Sequence, residues 1–375
     1  MKSADTNRKI DAETAANIAE AAVTRTSGVP ATLYDVEELS EESRRNLVLR
    51  SKVALGKQSH SIIIKVTRSP DYAASSADLF ANSGLAKEWV ARELLGQSQG
   101  HNSSALLAGD AEYGLIVFED FGSHLSSLDT ILLNGSASAA EAALTAYAIS
   151  LGKLHAATVD CAQRHATIIR KTFSAAAIPA SVGADWMERP LPEIEGVAIP
   201  NDEIEVVRSR LAEPGPWIAL VHGDSCPDNV LLSSGQARLL DFEFSAPGHM
   251  LLDAVYWRIG FPTCWCAGAV PDDVADRIDA AYRGEVIAVL PEIADDHVFA
   301  TEAALISVAW TLHNLRWLLE SALLTDSTWG IASRRSRILW YLDAAITACR
   351  KADILPRCWF PRRTEPVRRI ISIEN

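Results

Sequence analysis

VHGDSCPDNVLLSSGQARLLDFEF, residues 221–244, decides how the rest of the chain is read. An apolar run ends at His222-Gly223-Asp224, a polar loop carries Asn229, and a second apolar run leads to Asp241-Phe242-Glu243. A single Asp or Asn in a loop is usually a turn former or a helix cap. His222, Asp224, Asn229 and Asp241 in this order, with a strand between the last two, ask for more than that. Phosphoryl transfer needs a carboxylate near an acceptor hydroxyl and hard oxygens for a divalent cation, all on rigid supports. Asp224, at a strand end, is suited to take or orient a hydroxyl proton, while Asn229 and Asp241 are suited to hold Mg²⁺. Two other chemistries fit less well. A metallohydrolase built on His222 and Asp224 lacks partner histidines at short spacing, and a Ser225 or Cys226 nucleophile has no assigned base.

The bulk composition agrees with a globular protein. The 375 residues are 48% hydrophobic and 22% charged, enough for two lobes, and no apolar stretch approaches the roughly 20 residues that span a bilayer. The start, MKSADTNRKIDAETAANIAEAAVTRTSG, lacks the apolar core of a secretory signal. A formal net charge of -13 argues against a nucleic-acid partner and permits a cationic ligand. The basic stretch RCWFPRRTEPVRR, residues 357–369, is read as a solvated tail. Cys161, Cys226, Cys264, Cys266, Cys349 and Cys358 lack the spacing of a secreted framework, so reduced thiols in a cytoplasm are expected. Cys264 and Cys266 have no second ligand pair at metal spacing.

Upstream, a leading helix is followed by three β-like runs, ATLYDVEEL, NLVLRSKVAL and SIIIKVTR, then a helical stretch, LAKEWVARELLGQ, then SSALLAGD and EYGLIVFED. This predicts five strands with one helix inserted after the third, ending near Phe121. Long helical patterns follow, in SASAAEAALTAYAISLGKLHAATVD and again in TEAALISVAWTLHNLRWLLESALL and SRILWYLDAAITACRKA. The proline-punctuated segment 178–217 is expected to be an irregular excursion with short helices. The fold class is therefore α+β, with an N-lobe at 1–121 and a mainly helical C-lobe at 122–375.

HGDSCPDN and LDFEF resemble the aminoglycoside phosphotransferase and choline kinase group of small-molecule kinases, where protein kinases carry H-R-D and D-F-G. The resemblance implies a bilobal protein-kinase-like fold and transfer of the γ-phosphate of Mg²⁺-bound ATP or GTP to a hydroxyl. By it Asp224 is the catalytic base, Asn229 and Asp241 bind magnesium, Glu243 reaches a second magnesium, and His222 braces the loop. Asp253, in LLDAVYW, supports the catalytic loop, and His155, in LGKLHAA, packs beneath it. Lys65, in SIIIKV, is the third-strand lysine that positions the α- and β-phosphates. Glu88 fits the helix register of its partner, and Glu93 lies on the same helix. LIVFEDFG resembles the hinge that bonds the purine edge, with Glu119 and Phe121 supplying the carbonyl and amide. The turn SEESRRN, Ser40 to Asn46, departs from the glycine-rich loop of protein kinases, so backbone amides with Ser40 and Ser43 are the phosphate contacts it offers.

The acceptor is less legible. Nine of ten tryptophans lie from Trp186 onward, and core packing explains most, although Trp257, Trp265, Trp310 or Trp317 could wall a pocket for a cation or sugar ring. His313 and Asn314 interrupt an apolar helix and are read either as pocket lining or as a hydrogen-bonded core pair. The acidic balance leans toward a cationic acceptor such as an aminoglycoside-like antibiotic or an amino alcohol, which would make antibiotic resistance one role. A catalytically idle kinase fold that binds nucleotide or a partner is the alternative.

Overall fold

The computed structural model describes residues 10–69, 72–74, 83–173, 182–183, 185–186 and 201–353. Taking the described residues within each, one compact unit is drawn from Met1–Leu125, Gln163–Pro179 and Leu240–Ser245, and a second from Ser126–Ala162, Ala180–Leu239 and Ala246–Asn375. The basic stretch 357–369 and residues 178–181, 184 and 187–200 of the proline-punctuated segment lie outside the described residues.

In the first unit, helix α1 (Ala12–Ser27) begins where the Asp11 carboxylate accepts from Thr14 N–H and ends where Gly28 turns left-handed at φ 70°. Its buried Ala15, Ala19, Ala22 and Val23 recur at helical spacing and form one stripe. That stripe packs on an antiparallel sheet of β1 (Ala31–Glu38), β2 (Asn46–Leu55), β3 (Gln58–Thr67), β4 (Leu106–Asp110) and β5 (Leu115–Glu119), in the order β1-β2-β3-β5-β4. Small alanines bring the helix close, and Ile62, Ile64 and Val66 of β3 point into this core. The two-residue alternation of a strand then sends Ile63 and Lys65 to the opposite face. Helix α2 (Gly84–Gly96) is buried through Leu85, Glu88, Trp89, Arg92 and Leu95 among others, and Trp89 packs where Gly109 of β4 leaves room. A Cβ at Gly109 would lie 2.2 Å from the indole. Helix Ala162–Phe173 joins this unit, because Phe173 meets Trp89 edge-on at 5.6 Å and Lys171 and Thr172 bond Glu93. The segment 240–245 belongs here too.

The second unit is mainly helical. Helix Ala137–Thr158 packs along helix Asp272–Val286, and Gly152 permits the approach, since a Cβ there would lie 2.8 Å from the Glu285 Cβ. Helix Asp296–Leu324, capped by Asp295, packs against helix Arg334–Lys351. Trp257 is fully buried between Tyr147 and Tyr282, and its indole N–H reaches Asp279 at 2.8 Å. Two small sheets hold the motif segments: Ile218–Val221 pairs with Ala246–His249, and Val230–Ser233 pairs with both Gln236–Leu239 and Ser126–Ser127. Of the proline-punctuated segment, helix Asn201–Ala212 and the turn Gly215–Trp217 are described. Among the described residues no helix is long and apolar enough to cross a membrane.

Trp257 and Trp310 are core residues, with Trp310 4% exposed and its indole N–H on the Leu252 carbonyl at 2.9 Å. Trp317 is 55% exposed, and Asn314 bonds the Trp310 carbonyl within its own helix. The expectation of reduced thiols throughout is not met, because Cys226 and Cys264 form a disulfide, while Cys161, Cys266 and Cys349 are buried and not disulfide-bonded.

His165 is 1% exposed, its Nε2 makes no hydrogen bond, and burial lowers its pKa to about 4. The unfolded chain takes up a proton near the ordinary value of about 6.5 while the folded chain resists. Stability conferred by the neutral ring is therefore present above about pH 6.5 and is lost as pH falls toward 4. Urea unfolding at stepped pH should show His165→Leu flattening this dependence by about 3 kcal/mol across the window. Parallel curves for the two proteins would mean that the ring takes up its proton as readily in the folded chain as in the unfolded one.

Candidate active site

Lys65 leaves β3 on the face opposite α1, is 6% exposed, and meets two carboxylates. Its Nζ lies 2.7 Å from Glu88 Oε2 and 2.6 Å from Asp241 Oδ1, with Glu243 Oε2 at 3.7 Å. Burial alone would lower the Lys65 pKa, but Glu88, Asp241 and Glu243 outweigh it and raise it above the ordinary range. Burial would likewise raise Glu88, yet Lys65 and Arg92 hold it at about 2. Arg92, one helical turn beyond Glu88, donates to Glu88 Oε1 from Nε and Nη2, bonds the Ser104 carbonyl at 3.1 Å, and stacks over Phe118 at 3.8 Å. The lysine therefore pairs with Glu88. Glu93 faces elsewhere, accepting from Trp89 Nε1, Lys171 and Thr172.

Asp241 sits in the left-handed region at φ 57°, a conformation that Asp tolerates better than most residues and that here goes with its carboxylate lying on Lys65. Glu243 is engaged by Arg45 and, at 3.5 Å, by Asn46 Nδ2, both at the start of β2. Burial and the neighbouring Asp241 raise its pKa. A cavity of about 450 Å³ opens beside this pair, lined by Arg45, Asn46, Arg68, Ser83, Gly84 and Glu243 among others. Ser40 accepts from Val48 N–H at 3.0 Å, so it shapes the turn, and Ser43 is exposed at the turn's tip. At the end of β5, Glu119 is exposed and donates its N–H to the Ala105 carbonyl, while Phe121 is half-buried. Between them Asp120 accepts from Arg50, Ser61 and Gly122 N–H, and these bonds outweigh its burial and lower its pKa.

In the second unit the loop after Val221 is organised by Asp253, 2% exposed on the short helix Leu251–Ala254. Its carboxylate accepts from His222 N–H at 2.6 Å, Gly223 N–H at 3.2 Å, Ser225 Oγ at 3.4 Å and His155 Nε2 at 3.2 Å. A carboxylate only accepts, so His155 donates from Nε2 and, when neutral, its Nδ1 accepts from the Tyr282 hydroxyl at 2.8 Å. His222 is fully buried, and the Tyr147 hydroxyl donates to the Ser225 carbonyl at 2.7 Å. Asn229 Nδ2 bonds the Asp224 carbonyl at 3.0 Å and its carboxylate at 3.2 Å, and Thr263 Oγ1 reaches the other carboxylate oxygen at 3.4 Å.

Each unit by itself carries oxygens of the kind a hard divalent ion takes. With its Nδ2 engaged, Asn229 has an amide oxygen to offer, and Asp241 has a carboxylate of which 37% of the side chain is exposed. Glu243 fits less well, since Arg45 and Asn46 already engage it. Among the described residues no three His, Cys, Asp or Glu side chains form a ready-made metal cluster.

The sequence model of the phosphotransferase enzyme family matches residues 73–291, more than half of the chain. The chain belongs to that family. A search of curated protein sequences returned no match. Among solved structures this family member is similar to a choline/ethanolamine kinase family protein from Mesorhizobium loti, at 17% identity over 90% of this chain and 93% of that one, with a TM-score of 0.45. It is similar to choline kinase from Cryptosporidium parvum at 10% identity over 88% and 92%, TM-score 0.44. A third is a thermostable mutant of aminoglycoside phosphotransferase APH(4)-Ia in ternary complex with AMP-PNP and hygromycin B, at 13% identity over 89% and 98%, TM-score 0.42.

Several groups of this phosphotransferase-family chain escape sequence reading. Arg92 is hidden in E-x-x-x-R, a spacing that also describes many solvated helix faces, and Thr263 lies 39 residues from the Asp224 it bonds. Arg45 carries a faint signal, as the second basic residue closing a turn without glycine. Removing Glu88 would leave two cations buried without their shared partner, which typically costs about 3–5 kcal/mol. Glu88→Gln is expected to lower the unfolding free energy by about that amount, and Glu93→Gln by under about 1 kcal/mol, in urea titrations followed by tryptophan fluorescence. Equal losses would assign the pair wrongly.

Proposed function

We propose that the chain is a small-molecule kinase, transferring the γ-phosphate of ATP or GTP to a hydroxyl of a small acceptor. The observation that carries this reading is the buried contact of Lys65 with Glu88 and Asp241, in a chain of the phosphotransferase enzyme family. A lysine so held keeps its charge and a fixed direction, which is what positioning of nucleotide phosphates requires. The first unit is then the nucleotide-binding part, with the Glu119–Phe121 backbone meeting the purine and the Ser43 turn facing phosphate. The second supplies Asp224 as the base that takes or orients the acceptor proton. His222 and Asp253 act on Asp224 only by holding its loop.

Asn229 and Asp241 would hold Mg²⁺, with Glu243 reaching a second ion once released by Arg45. The metal neutralises charge on the nucleotide phosphates. The net charge of -13 favours a cationic acceptor, an aminoglycoside-like antibiotic or an amino alcohol, by long-range attraction. In the first case the chain would confer antibiotic resistance. A cytoplasmic setting, where nucleoside triphosphates are made, belongs to the same reading. Nucleic acid and membrane are not partners in it.

A screen for Mg²⁺-dependent release of ADP or GDP against aminoglycosides, macrolides, amino alcohols and sugars tests the reading. Asp224→Asn should bind nucleotide within about twofold of the parent while turnover drops by a factor on the order of 100 or more. Asp241→Ala should lose Mg²⁺-dependent nucleotide binding as well. Undiminished turnover in Asp224→Asn would remove the base, and no Mg-nucleotide binding by calorimetry would remove the kinase.

A further inference from the structure

Two residues past Asp224, Cys226 is bonded to Cys264, with Cα atoms 5.6 Å apart across a separation of 38 residues. The residue before Cys264 is Thr263, whose hydroxyl reaches the Asp224 carboxylate at 3.4 Å. The Tyr256 hydroxyl bonds Thr263 and lies 3.5 Å from the Cys226 sulfur and 3.7 Å from that of Cys264. Both sulfurs, Tyr256 and Thr263 thus form one cluster against Asp224. The far side of the cluster is anchored: Arg337 Nη1 donates to the Cys264 carbonyl and the Tyr341 hydroxyl to the Pro262 carbonyl, each at 2.8 Å. On the loop side, Asp253 holds His222, Gly223 and Ser225, and the next residue is Cys226. The disulfide is therefore the covalent tie between the loop that carries Asp224 and the anchored segment that carries Thr263.

We propose that Cys226 and Cys264 are a thiol–disulfide modification site, in which the disulfide keeps Thr263 on the Asp224 carboxylate and reduction to two thiols releases it. The inference rests on the base role of Asp224 proposed above. Cys226 is the less buried partner, 6% exposed against 1%, so an incoming thiolate attacks its sulfur. The S–S bond breaks, Cys264 leaves as a thiolate and takes a proton, and a mixed disulfide remains on Cys226. A second thiol of the reductant displaces Cys226 as a thiol, so two electrons have passed to the protein and the reductant has become a disulfide. Cys266 does not compete. It is buried, and burial, with Asp228 and Asp129, pushes its thiol up to about 12, leaving almost no thiolate.

The test compares the full chain as oxidised by glutathione disulfide with the same protein reduced by dithiothreitol, using MgATP without added acceptor as the probe. Reduction should lower kcat for ATP hydrolysis by about 10- to 100-fold with KM within about twofold, because a misaligned base costs rate and leaves nucleotide binding intact. Reoxidation should restore it, Cys264→Ser should stay in the low state under both conditions, and Cys266→Ser should respond like the parent. Hydrogen exchange in the peptide 222–230 should quicken on reduction. Identical exchange and kcat in both states would overturn the proposal, as would alkylation of both Cys226 and Cys264 by iodoacetamide after the oxidising treatment. If neither state hydrolyses ATP, the kinase reading fails by itself, and the exchange of peptide 222–230 still decides the site: quickening supports it and no change overturns it.

Discussion

A lysine ammonium taken out of water costs several kcal/mol unless carboxylates meet it, and the first unit is arranged around that constraint. Because Ile64 and Val66 point toward α1, strand alternation leaves Lys65 on the face that α2 covers. There Glu88 divides its two oxygens, one for Lys65 and one for Arg92. The second carboxylate on Lys65 comes from Asp241, 176 residues further along the chain. One buried charge thus ties a strand, a helix and a later segment of the chain together. A change to one member is felt by the others, since Lys65, Glu88 and Arg92 are buried and a lost partner is poorly replaced by solvent.

The second unit reaches the same end with neutral donors. Asp253 gathers two backbone amides, a hydroxyl and an imidazole, so a loop containing the sharp turn at Gly223, φ 78°, has a fixed path. The carboxylate that organises the loop, Asp253, and the one bonded by Asn229 and Thr263, Asp224, are different residues. Asp253 is taken up by its donors and nearly fully buried, whereas the Asp224 carboxylate accepts from the side chains of Asn229 and Thr263.

What could be read in the sequence was what is local. His222, Asp224 and Asn229 stand within eight residues, and their spacing alone suggested a loop between strands. The five strands and the helix between the third and fourth were legible for the same reason, through alternation and helical periodicity. Glu88 and Glu93 could not be separated by pattern, because both lie on α2 and the choice depends on Lys171 and Thr172, which arrive from a helix 78 residues away. That Trp257 and Trp310 are buried in the core could not be read from the pattern, because burial is a tertiary property. The disulfide was invisible for a related reason: Cys226 sits in a loop and Cys264 in another, with no regular framework to suggest a pairing.

The turn without glycine shows how a different local solution changes the duties of side chains. Glycine-rich loops bring backbone N–H groups onto phosphates because no Cβ intervenes. In SEESRRN the turn is held by side chains instead: Ser40 bonds Val48 N–H, and Arg68 bonds the carbonyls of Glu41 and Glu42. Contacts to an anion at this turn therefore fall more heavily on its side chains. Arg45 already holds Glu243, but with 69% of its side chain exposed the pair is worth at most about 1 kcal/mol. A competing anion could draw it away at little cost. Lys65, with only 8% of its side chain exposed and two close carboxylates, cannot be drawn away in the same manner. The two cations near the 241–243 segment thus differ in kind, one fixed by burial and one exchangeable, and it is burial rather than charge that separates them.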